Sequence, residues 1–346
     1  MHNQLIQYLT HLVKINSVNP DLSNDGQGER EIAEYVQRHF QGLGIPSNVH
    51  TVKDDRCNTT AFIIGKNPNK ILLMNGHLDT VGIEGMDKPF TLMVAPNGAR
   101  RQQSDHPALP ITADELAATA KACLAEGADA IHLHVRQDDG SHSLDAGRYR
   151  EAIAAIEEAA PGMAIQVTTE SASVYDVPAQ LACLEALRPA SASISIREMA
   201  RDPKLAARVY SVAAEAGTQV QHILYARTCI DQLSAWREGG VIRAEQDDVI
   251  FVLGQYKPPV LAQPSDLDGF LSATAGLGLN WAICAFGQNE HACLLNAIHR
   301  GGNIRIGFEN NIHTPDGNLL TSNAASIRNL ITAARSQGLV PAAPAV

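Results

Sequence analysis

From Thr91 onward the sequence keeps a beat that leaves few folds open. Short apolar runs recur eight times, each followed by a longer stretch with helical spacing. The predicted strands are 91–95, 130–135, 164–169, 191–196, 219–224, 249–254, 280–286 and 303–308. The predicted helices are 113–126, 146–159, 178–187, 202–216, 228–238, 266–275, 290–300 and 322–337. The first helix opens on a capping box, Thr112 with Glu115, and Gly127 marks its end. Eight strand–helix units in roughly 250 residues are what a (β/α)8 TIM barrel requires, whereas a doubly wound sheet rarely needs so many even units. The predicted fold class is therefore α/β: a (β/α)8 barrel over 91–346, preceded by a small, incomplete α/β segment over 1–90.

Composition narrows the function. Apolar residues make up 45% of the 346, enough for a core. The net charge of −10 excludes a general nucleic-acid binder, because phosphate affinity needs a basic surface. The six cysteines form no CxxC pair, so they read as free thiols of a cytoplasmic protein. No run is apolar enough for a signal peptide or a membrane span. The expected partners are small molecules, with neither nucleic acid nor membrane.

Barrel enzymes carry their chemistry at the C-terminal ends of the strands. Strand two ends in His132-Leu133-His134, and residues two apart share a face, so both imidazoles point the same way. Strand eight runs Arg305-Ile306-Gly307-Phe308-Glu309, and in a closed barrel it lies beside strand one and close to strand two. His132, His134 and Glu309 are thus candidate metal ligands, and two histidines with one glutamate leave positions open for water or substrate. Arg305 shares a side with Glu309 and needs an anionic partner. Further candidates are Thr168, Thr169, Glu170 and Ser171 after strand three, Ser193, Ser195 and Arg197 at strand four, and Gln221 and His222 at strand five. Asn97, Arg100 and Arg101 lie in a turn after strand one that can face an anion.

The stretches APNGAR (95–100), HPALPIT (106–112), AIHLHVR (130–136) and IRIGFEN (304–310) resemble the β-keto acid cleavage enzymes, typified by 3-keto-5-aminohexanoate cleavage enzymes, over about 91–340. The resemblance implies a zinc-dependent barrel that exchanges acyl groups between a β-keto acid and acetyl-CoA, giving acetoacetate and a new acyl-CoA. It implies His132, His134 and Glu309 as zinc ligands, Arg305 as the active-site arginine, and Thr168 and, less securely, Ser195 as substrate-binding hydroxyls. It also implies a homo-oligomer. Three positions depart from the pattern. Asn310 stands where the family has an aspartate that moves a proton, and an amide cannot do so. Gln221 replaces a glutamate. Arg100 replaces the glutamate that binds an amino group, and would welcome a carboxylate instead. Glu170 or His222 can then stand in as the base.

Residues 1–90 read as a helix over 2–14, a helix over 28–42 and strands at 48–53, 60–65 and 70–75. They resemble the start of an M20-type metallopeptidase, through EREIAEYVQRHFQGLGI and LLMNGHLDTVGIEGMDKPF. That resemblance makes His77 a zinc ligand and Asp79 its orienting carboxylate, but the later ligands of a two-metal centre are missing. The segment is expected to be non-catalytic and the less stable part. An M20-type deacylase and a catalytically impaired barrel are the alternative functions.

Overall fold

The computed structural model describes residues 8–9, 11–13, 15–21, 26–54, 56–67, 70–80 and 89–341. The chain divides into two compact units, Met1–Met86 and Asp87–Val346.

The second unit is a closed barrel of eight parallel strands. In chain order they are Leu92–Val94, Ala130–Leu133, Ala164–Thr168, Ser191–Ser195, Gln219–Leu224, Asp248–Leu253, Asn280–Ala285 and Asn303–Ile306. Strand eight closes on strand one in the register Ile304↔Leu92, Arg305↔Met93, Ile306↔Val94. Between the strands run Ala113–Ala125, Ala146–Ala159, Val177–Leu187, Pro203–Ala216, Arg227–Glu238, Asp266–Thr274 and Glu290–His299, and Asn323–Ser336 follows the last strand. Five of them start at side chains that accept backbone N–H groups: Thr112 with Glu115 in a reciprocal box, then Asp145, Asp176, Asp202 and Ser322. A four-residue helix, Ile196–Met199, adds a turn after strand four that the periodicity did not signal.

Strand parity sorts the side chains. Ile131, Leu133 and Val135, Ala192, Ile194 and Ile196, and Ile304 and Ile306 pack outward against the helices in one large apolar core. Their alternates, among them His132, His134, Gln166, Thr168, Ser193, Ser195 and Arg305, therefore turn to the barrel interior. Strand six shows both sides: Val249, Phe251 and Leu253 belong to the outer core, Ile250 and Val252 to a small inner cluster with Ile223, Ala282 and Cys284.

The first unit packs helix Arg30–Gly42 on an antiparallel pair, Ser47–Lys53 with Arg56–Ala61. Of the helix predicted over 2–14, residues 8–9 and 11–13 are helical, and 2–7, 10 and 14 lie outside the described residues. Two strand predictions are corrected. The strand predicted at 60–65 runs from Arg56 to Ala61, because it pairs residue by residue with its hairpin neighbour and leaves the ladder beyond it. The segment 70–75 forms no strand, and Ile71, Leu72, Leu73 and Met74 are each more than four-fifths exposed. An apolar run becomes a strand only where a neighbour accepts its hydrogen bonds. No helix among the described residues is long and apolar enough to cross a membrane.

Two histidines make the barrel sensitive to acid. His222 is wholly buried between Tyr210 Oη (3.3 Å) and the carbonyl of Gln246 (3.2 Å), and burial holds its pKa down to about 4. His291 is buried against Ser326 Oγ at 3.1 Å, and burial lowers it likewise to about 4. Both bind protons more readily once unfolded, so the stability they lend is full above about pH 6.5 and falls away towards pH 4. Urea denaturation of the barrel is expected to show a loss on the order of 3 kcal/mol per histidine across that interval, and His222→Gln should flatten the profile.

Candidate active site

Strands two and eight bring three donors together at the barrel mouth. The Nε2 atoms of His132 and His134 face each other at 3.2 Å. Glu309, in the turn just past strand eight, lies 3.5 Å from His134 Nε2 through Oε1 and 4.0 Å from His132 Nε2 through Oε2. Donor atoms of all three fall within 4.8 Å of one another, and among the described residues they are the one cluster of this kind.

The donors fit a metal ion. Two nitrogens each about 2.0–2.1 Å from a tetrahedral zinc lie about 3.4 Å apart, close to the imidazole spacing seen. Gln166 Oε1 accepts from His132 Nδ1 at 2.8 Å, which leaves the Nε2 lone pair facing the cluster. Burial holds the His132 pKa well below its ordinary value, so the ring is neutral. Burial alone would raise Glu309, but the Arg305 charge first, with a hydrogen bond from His134, holds its carboxyl well below the usual range. Glu309 Oε2 has no hydrogen-bond partner among the described residues, and Arg305 Nη2 stands 3.6 Å from it. A buried carboxylate so placed asks for a cation.

The chain around the cluster is shaped to hold it. Gly98 takes φ +63°, and a Cβ there would meet Glu309 Cγ at 2.6 Å. Arg136, two residues after His134 on the same face, donates to the carbonyls of Gly98 (2.9 Å), Gly140 (2.7 Å) and Arg101 (3.0 Å), pinning the turn after strand one. Asn97 Nδ2 donates to the carbonyls of Pro110 (2.9 Å) and His134 (3.3 Å), tying that turn to strand two. The carboxyl of Glu290, raised by burial, meets the N–H of Gly307 and the amide of Asn311 beneath the strand-eight turn.

A cavity of about 220 Å³ opens beside the cluster. The sequence candidates His132, Glu170, Arg197, Arg305, Glu309 and Arg100 line it, together with Tyr225, Tyr256, Lys257 and others. Glu170 Oε2 stands 3.9 Å from His134 Nε2, and burial raises its pKa. Asn97 lines a smaller adjoining space with Arg100, Arg101 and Glu309.

Other candidates are not among the lining residues of these two spaces. Thr168 Oγ1 accepts from the Glu170 N–H at 3.1 Å and from Ser193 Oγ at 3.3 Å, so it holds the strand-three turn. Ser195 is buried at the end of strand four, without a hydroxyl partner among the described residues. Gln221 accepts from Gln166 Nε2 at 3.2 Å and so backs the residue that orients His132. Asn310 is fully buried, and its amide has no protein partner among the described residues. His222 shares the parity of Val220 and Leu224 and faces the outer core. Gln166 and Arg136 were missed from the sequence, although both sit at even spacing from inward residues, Gln166 from Thr168 and Arg136 from the two histidines. In the first unit, His77 is exposed and its Nδ1 lies 3.1 Å from Asp79 Oδ1, while Asn19 and Arg56 hold Asp79.

A profile of the beta-keto acid cleavage enzymes matches residues 89–346. The chain belongs to this family. Among curated relatives of this beta-keto acid cleavage enzyme, the 3-keto-5-aminohexanoate cleavage enzyme of Fusobacterium nucleatum is 28% identical over 255 residues, 71% of this chain and 92% of the relative. A 3-oxoadipate:acetyl-CoA acetyltransferase of Cupriavidus necator is 23% identical over 280 residues, 73% of this chain and 91% of the relative. Among solved structures, a ternary complex of ObcA with a C4-CoA adduct and oxalate superposes with a TM-score of 0.53 at 14% identity, covering 68% of this chain and 65% of that one, a likeness of fold alone.

Gly98→Ala is expected to fold and to hold its metal at least about tenfold more weakly, because the new methyl displaces Glu309. Competition with a chromophoric chelator measures this; unchanged affinity would show that Glu309 does not need the cleft that Gly98 leaves.

Proposed function

We propose that the barrel is a zinc-dependent acyltransferase. It would move the acyl group of a β-keto acid onto CoA while the acetyl group of acetyl-CoA joins the released two-carbon acid, giving an acyl-CoA and acetoacetate. The observation that carries this reading is the convergence of His132, His134 and Glu309 beside Arg305 in a chain of this family. His132, His134 and Glu309 would hold the zinc, which when bound supplies Lewis acidity towards the substrate's ketone. Arg305, wholly desolvated and with two nitrogens free of protein partners among the described residues, offers its charge to the oxygen on which negative charge develops.

Glu170 is assigned the proton transfer that Asn310 cannot perform. It lines the cavity wall beside the metal cluster, whereas His222 points away from it. Glu170 would take the proton from the carbon between ketone and carboxylate. Thr168 and Ser195 shape strands three and four behind it, and Asn97, Arg100 and Gln221 complete the binding and support groups. The six buried, unpaired cysteines support a reducing, cytoplasmic setting, and family membership supports a homo-oligomer.

Metal analysis joined to acetyl-CoA-dependent turnover of a panel of β-keto acids tests the reading. About one zinc per chain, lost together with turnover in His132→Ala, is the expected result, and protein purified without metal would sink it. Glu170→Gln should lower kcat by about 100-fold or more, and Asn310→Asp in that background should restore part of it.

Residues 1–90 are assigned no catalysis. A single exposed histidine with one carboxylate, His77 and Asp79, cannot hold a two-metal centre. Limited proteolysis should cut first around the exposed 62–64 and 71–74 segments, leaving the barrel intact; earlier cleavage inside the barrel would contradict this.

A further inference from the structure

The outer wall of the active-site cavity carries more positive charge than the metal cluster needs. Four cationic side chains and two carboxylates line it. Arg305 is matched by Glu309 at 3.6 Å, and Arg100 faces Glu170 electrostatically. Arg197 and Lys257 form no ion pair among the described residues, and they come from separate segments, the short helix Ile196–Met199 after strand four and the loop after strand six. Arg197 is also held in place, its guanidinium carbon 3.3 Å from the centre of the Tyr225 ring. Stacking leaves the edge of a guanidinium free to bind an anion and removes much of the freedom it would otherwise lose on binding.

We infer that Arg197 on Tyr225, with Lys257 and Arg100, forms a subsite for a second carboxylate, and that the substrate is a β-keto diacid. This rests on the reaction proposed above. The diacid's keto-acid end would lie against the metal cluster and Arg305, its far carboxylate against Arg197 and Lys257. The ligand chemistry required is a small anionic oxygen group, and either a carboxylate or a CoA phosphate supplies one. A space of about 220 Å³ suits a short diacid and is below the size of sites that enclose larger ligands, so the carboxylate is the assignment. Lone cations facing a partly closed cavity also concentrate anions within it.

Titration calorimetry on the zinc-loaded protein tests this apart from turnover, using a 3-oxo diacid, the methyl-terminated 3-oxo acid of the same length, and acetyl-CoA. The wild type should bind the diacid at least about tenfold more tightly than the methyl-terminated acid, the worth of one charge-assisted contact. Arg197→Leu and Lys257→Met should each shrink that ratio, and Arg197→Lys should keep part of it. No preference in the wild type, or a preference that survives in the double variant, overturns the subsite. Weaker acetyl-CoA binding with the diacid preference intact also overturns it, since the cations would then serve the phosphates. A diacid preference without turnover of any β-keto acid upholds the subsite and rejects the reaction, whereas turnover without the preference does the reverse.

Discussion

Glu309 is a desolvated carboxylate at the mouth of a barrel, and much of the site is arranged around its charge. Arg305 stands four residues earlier on the same inward face and holds it ionised. Burial keeps the His132 imidazole neutral, and the bond from its Nδ1 to Gln166 Oε1 turns the Nε2 lone pair, rather than a competing positive charge, towards the cluster. Removing one partner from such a set leaves an unmatched buried charge, and that cost keeps the four side chains together.

The backbone is fitted to the same carboxylate. Gly98 gives Glu309 room that no side chain would allow, and Arg136 fixes the turn containing Gly98 by bonding its carbonyls. Gly307, at φ +143°, lets strand eight pass so close to strand one that a Cβ would meet the Ala95 carbonyl at 2.3 Å. Strands one, two and eight are thereby locked in one arrangement. The wall formed by strands three to six faces that cluster and carries Glu170, proposed to move the proton, and Arg197, Tyr225 and Lys257, proposed to hold a second carboxylate.

Most of the barrel was legible because each strand is a short apolar run and five of the eight main helices start at a capping side chain. The candidate metal-binding trio was legible for a related reason. Spacing of two in His132 and His134, and of four between Arg305 and Glu309, places each set on one face before any fold is known. Orientation across elements was harder to read. Thr168 ends strand three and Gln221 sits within strand five, yet they bond to Ser193 and Gln166, while buried Asn310 finds no side-chain partner among the described residues; a single sequence does not say which polar group another will satisfy. The apolar run at 71–74 has the hydrophobicity of a strand, but among the described residues no neighbouring strand accepts its hydrogen bonds, which no local pattern reveals.

By itself the sequence determined the alternation of strands and helices and the inward parity of His132, His134, Arg305 and Glu309. Those are local properties, set by periodicity and residue chemistry along the chain. The tertiary structure alone decided that strand eight would bring Glu309 to within 3.5 Å of His134, that Glu170 rather than His222 would face the cavity, and that Arg197 would lie on Tyr225. Each of these depends on barrel closure, which brings together residues far apart in sequence through packing that no local pattern encodes.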